Sequence, residues 1–414
     1  MKIYDICVVG AGISGLSIAE MCSRMQIETL LIDRQPNIAM ESTAQQHGWF
    51  HTGALYSNMK NGSQRRSFLE NLEHLHIFYA RFPRMNISVD KDFKVYFKSN
   101  ECLGPTERYW FNFDGLRYLY EDGTDFNLSK NIVLKSKQPV IYGPNKTAYN
   151  KFTAENLQNL DSVKDIESCD RSMNTDLIVT DLFEAFKLSG GKFLGNSDVV
   201  SVSESQYNVK CITLRNKKQF YAKKVVFCGG ESFPKPLMKS IVIETSYSPL
   251  MIIVNKRNDR MGSFVKMSSK LNETINVLDH YCDGVNYGVV GSGEGFKQPL
   301  EKADFNFLLN DWTRRLNGCG LYDFDISDAY FGVKNFVLNR NIKSYQYHIK
   351  TLEDGLFYVN PGKFTLSFTL AVNFVRDLIG HSAFYSRFTQ DRLSLNNETV
   401  WQPKHLTSVK SIFK

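Results

Sequence analysis

The first 34 residues constrain this chain most, because they hold in order every part of a β-α-β unit built around a dinucleotide. Residues 6–9 are a short apolar run, as in a strand buried on both faces. Gly10, Gly12 and Gly15 follow at once in the G-x-G-x-x-G spacing. The first glycine permits a tight turn, the second lets the backbone approach a pyrophosphate, and the third lets helix and strand pack closely. A helix then opens through Ile13 and Ser14, so that its free amides and dipole face the phosphates. A second strand over residues 28–32 ends on Asp33, whose carboxylate can accept both hydroxyl hydrogens of a ribose, and Arg34 comes next. A lone glycine pattern is weak, but strand, turn, helix, strand and acid together specify a dinucleotide site.

With 414 residues, the chain has room for about two or three compact units. A hydrophobic content of 43% excludes a disordered protein. The net charge of +7 is spread along the chain without a basic stripe, which argues for anionic small molecules and against nucleic acid. The eight cysteines include no C-x-x-C pair and no metal-ligand spacing, so packed, reduced thiols are expected and no metal. The N-terminus runs straight into a strand, and no apolar run approaches the ~20 residues of a spanning helix. The expectation is a cytoplasmic protein, at most peripheral to a membrane.

Residues 35–56 form a long polar loop, of the kind that is usually functional inside a compact domain. Phe68, Leu69, Leu72, Leu75, Phe78 and Tyr79 repeat at helical spacing and predict a core-facing helix over 64–81. Residues 85–145 read as a β-rich insertion. A helix is predicted over 176–188, followed by strands near 198–202, 209–214 and 220–228 that return the chain to the nucleotide sheet. The first domain is therefore discontinuous. Residues 231–345 read as a second, sheet-bearing domain, with strands near 251–254 and 287–290. The glycines of 291–295 have the wrong spacing for a second nucleotide loop and read as an ordinary loop. Residues 356–365 lead into an amphipathic helix over 366–379, and 400–414 is a polar, basic tail.

On four segments in the right order the chain resembles the FAD-dependent D-amino-acid oxidase superfamily, nearest its glycerol-3-phosphate dehydrogenase and L-2-hydroxyglutarate oxidase branches. The first segment is the β-α-β unit, with Asp33 on the adenosine ribose. The second is Ser42-Thr43 with His51-Thr52-Gly53-Ala54-Leu55-Tyr56, similar to an H-[AG]-G-x-x-Y loop beside the flavin ring. The third is the strand from Val199, which lies along adenine in the family, with residues 225–230, including Cys228 and Gly230, like its V-V-x-A-A-G turn. The fourth is Gly332-Val333-Lys334 with Gly362-Lys363-Phe364-Thr365, like the G-[LV]-R and G-G-K-[WL]-T segments. The chain departs from the family at Leu55, where the glycerol-phosphate branch has arginine before the tyrosine. It departs again at Lys334, a point charge in place of a planar arginine fork, and at Pro361, which replaces a glycine and removes a backbone donor. The resemblance therefore does not carry glycerol phosphate or 2-hydroxyglutarate over as substrate. Hydroxybenzoate-type monooxygenases, monoamine-type oxidases and disulfide reductases are disfavoured, because their further motifs are missing.

The resemblance implies an α/β fold with a discontinuous Rossmann-type FAD-binding domain (1–84, 146–230, 346–400), an antiparallel-sheet α+β substrate domain (85–145, 231–345) and a tail (401–414). It implies hydride transfer from a C–OH or C–NH bond of a small anionic substrate to FAD, with a quinone or electron carrier as a possible partner. A positioned histidine is the usual acceptor of the accompanying proton, which makes His51 the first candidate and His348 the second. Tyr56 and Lys334 are candidates for holding an acidic substrate group. Lys363 and the amides after it are placed to stabilise the anionic reduced ring. Alternatives are a tailoring enzyme for a larger sugar or secondary metabolite, and a nucleotide-binding scaffold without turnover. The structural expectation is a cofactor extended along the glycine turn, its ring end between the His51 loop and the 361–365 corner.

Overall fold

The computed structural model describes residues 2–53, 62–89, 95–97, 108–120, 141–142, 165–168, 170–205, 208–228, 230, 241–268, 273–339, 342–388, 392–395 and 400–410. Strand β1 (Ile3–Val9) passes through the glycine turn into helix α1 (Ile13–Arg24) and out to β2 (Thr29–Ile32). Next come β3 (Trp49–Phe50), α2 (Gly62–Phe78), β4 (Ile87–Val89), β5 (Val95–Phe97), β6 (Arg117–Tyr120) and β7 (Ile141–Tyr142). Short strands β8 (Asp165–Glu167) and β9 (Arg171–Ser172) lead to α3 (Thr175–Leu188). Four strands follow: β10 (Lys192–Leu194), β11 (Val199–Glu204), β12 (Lys210–Leu214) and β13 (Gln219–Phe227). The chain continues with β14 (Ile243–Asn255), β15 (Phe264–Met267), β16 (Ile275–Cys282), β17 (Val285–Ser292), α4 (Lys302–Gly318), β18 (Phe324–Asn339) and β19 (Ile342–Lys343). It closes with β20 (His348–Glu353), β21 (Leu356–Asn360), α5 (Ser367–Ile379), α6 (His381–Arg387) and α7 (Lys404–Lys410).

One eight-stranded sheet runs β10-β2-β1-β13-β12-β11, with β21 and β20 branching from β13. Its centre is parallel: β1 lies between β2 and β13, and β10 pairs with β2 in the same sense. Strand β13 forks, with residues 219–222 pairing antiparallel to β12 and residues 225–227 parallel to β21. Parallel strands need cover on both faces, and all twelve residues of α1 are buried accordingly, packed against α3 and α5. The second eight-stranded sheet runs β19-β18-β14-β17-β16-β15-β6-β8 and is mostly antiparallel. Its spine is the pairing of the 13-residue β14 with the 16-residue β18.

Two segments differ from the sequence reading. Residues 302–318, not marked beforehand as a helix, form α4, whose stripe buries only Trp312 and Leu316 and leaves Phe307 exposed. So narrow an apolar face gives little periodic signal. The polar tail does not trail: Trp401, His405, Leu406 and Val409 are buried, and α7 packs on β14 and β18. The Lys404 N–H donates to the Ala44 carbonyl at 2.8 Å, which ties this segment to the long polar loop. Among the described residues no helix is long and apolar enough to cross a membrane.

Candidate active site

The glycine turn is built as its spacing requires. Gly10 has φ +103°, and its N–H donates to the Ile32 carbonyl at 2.8 Å. A Cβ on Gly15 would sit 1.8 Å from the Gly10 carbonyl oxygen, so only glycine lets the helix pack on the turn. At the helix start Gly12 has no side-chain cap. The Ile13 N–H donates to Thr43 Oγ1 at 3.1 Å, and the next first-turn amides have no helical partner. Asp33 closes this end, its Oδ2 accepting Ala11 N–H at 2.6 Å and its Oδ1 accepting Gln35 N–H at 2.7 Å. Burial raises its carboxyl pKa against the pull of those two bonds.

From this turn a cavity of about 1320 Å³, counting its open mouth, runs between the two sheets. Gly10, Gly12, Ile13, Ser14, Asp33, Ser42, Thr43, Cys228 and Gly230 line it at one side, and His51, Gly332, Lys334, Gly362, Lys363 and Phe364 elsewhere. Gly15, Val199, Thr365 and Arg34 are not on its surface. Gly15 and Val199 serve packing, as described for the first and by burial in the sheet core for the second. Arg34 is exposed and forms an ion pair with Glu41, Nε donating to Oε1 at 2.7 Å. His348 lies on β20 opposite the lining residue Asn360 but is not itself on the cavity surface. Tyr56 falls outside the described residues.

The two segments expected to cup the ring end are joined by one hydroxyl. Thr365 Oγ1 accepts the His51 N–H at 3.1 Å and donates to the Trp49 carbonyl at 3.3 Å. Beside it, the 361–364 corner is tight: Gly362 has φ +64°, its N–H donates to Asn360 Oδ1 at 2.7 Å, and a Cβ there would lie 2.4 Å from the Gln346 carbonyl oxygen. Lys363 Nζ stands 4.9 Å from the centre of the Tyr345 ring. Lys334 enters from β18, opposite Ser246 on β14.

Electrostatics set the two ends apart. Burial lowers Lys363 to about 7, with Lys334 pushing the same way, and burial lowers Lys334 to about 8, with Lys343 contributing. Burial also lowers His51 to about 4, opposed by Asp170 and assisted by Lys363 and Lys334, so its imidazole is neutral at pH 7. His47, also on the lining, is lowered well below the usual histidine range by burial and then by Lys334. Asp33 and Glu41, the carboxylates among the described lining residues, both belong to the stretch next to the glycine turn.

Several lining or supporting residues were not singled out from sequence. Asn335 fills the space a Gly230 side chain would need, its Nδ2 2.0 Å from that Cβ position, so this glycine admits a wall residue as well as any ligand. The Gln45 carbonyl does the same at Gly332, 2.7 Å from the Cβ position. His47 and Trp49 belong to the long polar loop, where nothing in the sequence sets them apart, yet both line the cavity, and Trp49 stacks on His51 at 4.5 Å between ring centres. Asp170 stands behind His51, 118 residues from Thr52, where no local pattern marks it.

The glycine cradle, the uncapped helix start and the ribose-side acid fit the adenosine diphosphate half of FAD, and the cationic far end fits its ring. Comparison with known proteins agrees with that fit. No curated protein sequence matches the chain. Among solved structures it is similar to an L-amino acid deaminase from Proteus vulgaris (TM-score 0.61, 15% identity, 98% of this chain and 93% of that one). It is also similar to glycine oxidase from Geobacillus kaustophilus (0.62, 11%, 96% and 100%) and to an L-alpha-glycerophosphate oxidase with FAD bound from Mycoplasma pneumoniae (0.60, 14%, 98% and 98%). At these identities the likeness establishes the fold: a Rossmann-type FAD-binding domain with a second domain. The family model for FAD dependent oxidoreductases, DAO, matches residues 5–334, and on that match over most of its length the chain belongs to the DAO family of FAD-dependent oxidoreductases.

Proposed function

We infer that this FAD enzyme oxidises a C–OH or C–NH bond of a small anionic substrate: a 2-hydroxy acid, an amino acid or a polyol phosphate. The observation that carries the reading is the pair of lysines, Lys334 and Lys363, lining the cavity together with neutral His51, while the described lining carboxylates lie beside the glycine turn. FAD, when bound, supplies the hydride acceptor. Gly10, Gly12, Ile13 and Ser14 would take its pyrophosphate and Asp33 its ribose. Lys363 and the corner amides would balance charge on the reduced ring. Lys334 holds the anionic group of the substrate as a point charge. His51 takes the hydroxyl or amine proton; with Nδ1 facing Asp170, the proton goes to Nε2. Loss of that proton together with the hydride completes a two-electron oxidation. The domain boundaries given from sequence belong to the same proposal.

The test is the visible spectrum of the purified, FAD-loaded protein under anaerobic conditions, with a panel of 2-hydroxy acids, amino acids and polyol phosphates. Bleaching of the flavin band by an anionic member, and not by its neutral ester or alcohol, is the expected result. A panel without any bleaching refutes the reading. Repeating the active reaction with oxygen or a soluble quinone then identifies the acceptor.

A further inference from the structure

We propose that Asp170 is a positioning residue for His51, holding the histidine loop in place and fixing which imidazole nitrogen carries the proton. This rests on His51 being the proton acceptor of the proposed oxidation. Asp170 is fully buried, at the edge of β9, which pairs with β3 so that Phe50 faces Arg171. Its carboxylate accepts four hydrogen bonds. Thr52 N–H and Thr52 Oγ1 donate to Oδ1 at 2.8 and 2.6 Å. Trp49 Nε1 and the Tyr118 hydroxyl donate to Oδ2 at 2.9 and 3.2 Å.

A carboxylate has about four lone-pair sites, and these donors fill them. Burial alone would raise the Asp170 carboxyl, but His51 first, and then the Thr52 hydroxyl and N–H, lower it more, so it is held ionised. His51 Nδ1 stands 3.8 Å from Oδ2, beyond hydrogen-bond reach but inside strong electrostatic range. The donors come from both sides of His51 in sequence, Trp49 and Thr52, so one buried anion sets the path of the loop and the face the imidazole shows it. The negative charge favours the Nδ1–H tautomer and steadies the imidazolium that forms on proton uptake. Among the described residues, Lys363 from the corner, Lys334 from β18 and His47 from its own loop also act on His51, and all three oppose that imidazolium. Asp170 is the anion that offsets them.

The experiment compares holoenzymes carrying Asp170→Asn, Tyr118→Phe and His51→Gln by ring ¹⁵N NMR of labelled histidines and by anaerobic flavin reduction. Asp170→Asn is expected to move His51 from the Nδ1–H to the Nε2–H tautomer at pH 7. It should also slow flavin reduction about ten- to a hundredfold at unchanged KM, within the ~10²–10⁴-fold that a positioned base supplies. An amide turns a donor toward Trp49 or Thr52 and can unfold the loop, so Tyr118→Phe is the second arm. It frees a lone pair on Oδ2 and should raise the pH midpoint of His51 with circular dichroism and flavin content at wild-type values; a general loss of structure would raise the midpoint as well, because burial is what lowers it, but would lose both of those. If His51 keeps its tautomer in Asp170→Asn and its midpoint in Tyr118→Phe, while His51→Gln abolishes reduction, Asp170 has no such role and the functional reading survives. If His51→Gln reduces flavin at the wild-type rate, the proton acceptor is elsewhere and both fall.

Discussion

Gly362→Ala tests the corner that faces the His51 loop, and its cost can be worked from geometry. Two terms act. Alanine at φ +64° pays about 1–2 kcal/mol for left-handed backbone. The new Cβ would also meet the Gln346 carbonyl oxygen at 2.4 Å, with the carbonyl carbons of Gln346 and Tyr345 at 3.0 Å. All three are backbone atoms, so relief needs a main-chain shift of roughly 1 Å, a strain of about 1–3 kcal/mol in a close-packed setting. Gly284→Ala is the control: φ there is +83° with nothing within 4 Å of the Cβ position, so only the first term applies. With an unfolding entropy of about 0.9 kcal/mol/K for a chain this long, thermal unfolding should fall by roughly 2–6 °C for Gly362→Ala and by about 1–2 °C for Gly284→Ala. Because the displaced corner carries Lys363, the first variant should also lose FAD on dilution, read as the ratio of flavin to protein absorbance, and the second should not. Equal drops in the two variants, with FAD retained in both, would refute the corner geometry.

Gly12→Val should abolish FAD retention in a folded protein, since a Cβ there already approaches Thr43 Oγ1 at 3.2 Å and two further methyls would occupy the cradle; a fully yellow variant with normal circular dichroism counts against it. Lys334→Met should chiefly raise KM for an anionic substrate. A bound anion holds the proton on Lys334, so affinity for an anionic inhibitor should stay level below its pKa of about 8 and fall up to about tenfold per pH unit above it, a fall that the variant flattens. Thr365→Val removes both bonds of the hydroxyl that joins the two walls. At about 0.5–1.5 kcal/mol each, the loss should lower stability by about 1–3 kcal/mol and slow flavin reduction; urea denaturation unchanged from wild type would show that the staple carries nothing.

The parts of the fold that sequence disclosed are those whose partners are close along the chain. The glycine turn, α1 and β2 fall within 34 residues, and their packing requirements are written in the same stretch. The stripes of α2, α3 and α5 were legible because each buries one broad face. Helix α4 was not, because two buried residues do not make a period. The fork of β13 was not legible either: one strand of nine residues takes β12 along one half and β21, more than 130 positions later, along the other. The tail offered no pattern, since Trp401 is buried in the cluster that α1, α2, α3 and α5 build, and Leu406 and Val409 against the second sheet, surfaces that exist only after folding. Asp170 is the same case at the site: its four donors come from residues 49, 52 and 118, and nothing near position 170 announces them.

The glycines of the later motifs show why part of the site was legible all the same. Gly230, Gly332 and Gly362 all fall in segments that resemble motifs of the FAD family. Two of them are also where separate elements of the cavity meet, Gly230 against Asn335 of β18 and Gly332 against the Gln45 carbonyl, while Gly362 packs on the Gln346 carbonyl across the β20–β21 hairpin. These two uses are one constraint. A flavin-sized slot between two sheets stays narrow only if the sheets and the loop touch at its rim, and they touch where a side chain is missing. A Cβ at Gly332 or Gly362 would meet main-chain oxygens at 2.7 and 2.4 Å and force a backbone shift, whereas at Gly230 it would meet the end of the Asn335 side chain, so it is the first two that hold the rim in place. Lys334 is two residues from Gly332, and Lys363 is next to Gly362. The two charges that favour an anion therefore reach the cavity at contacts whose spacing is already fixed, and this preorganisation makes them a recognition site instead of two surface lysines.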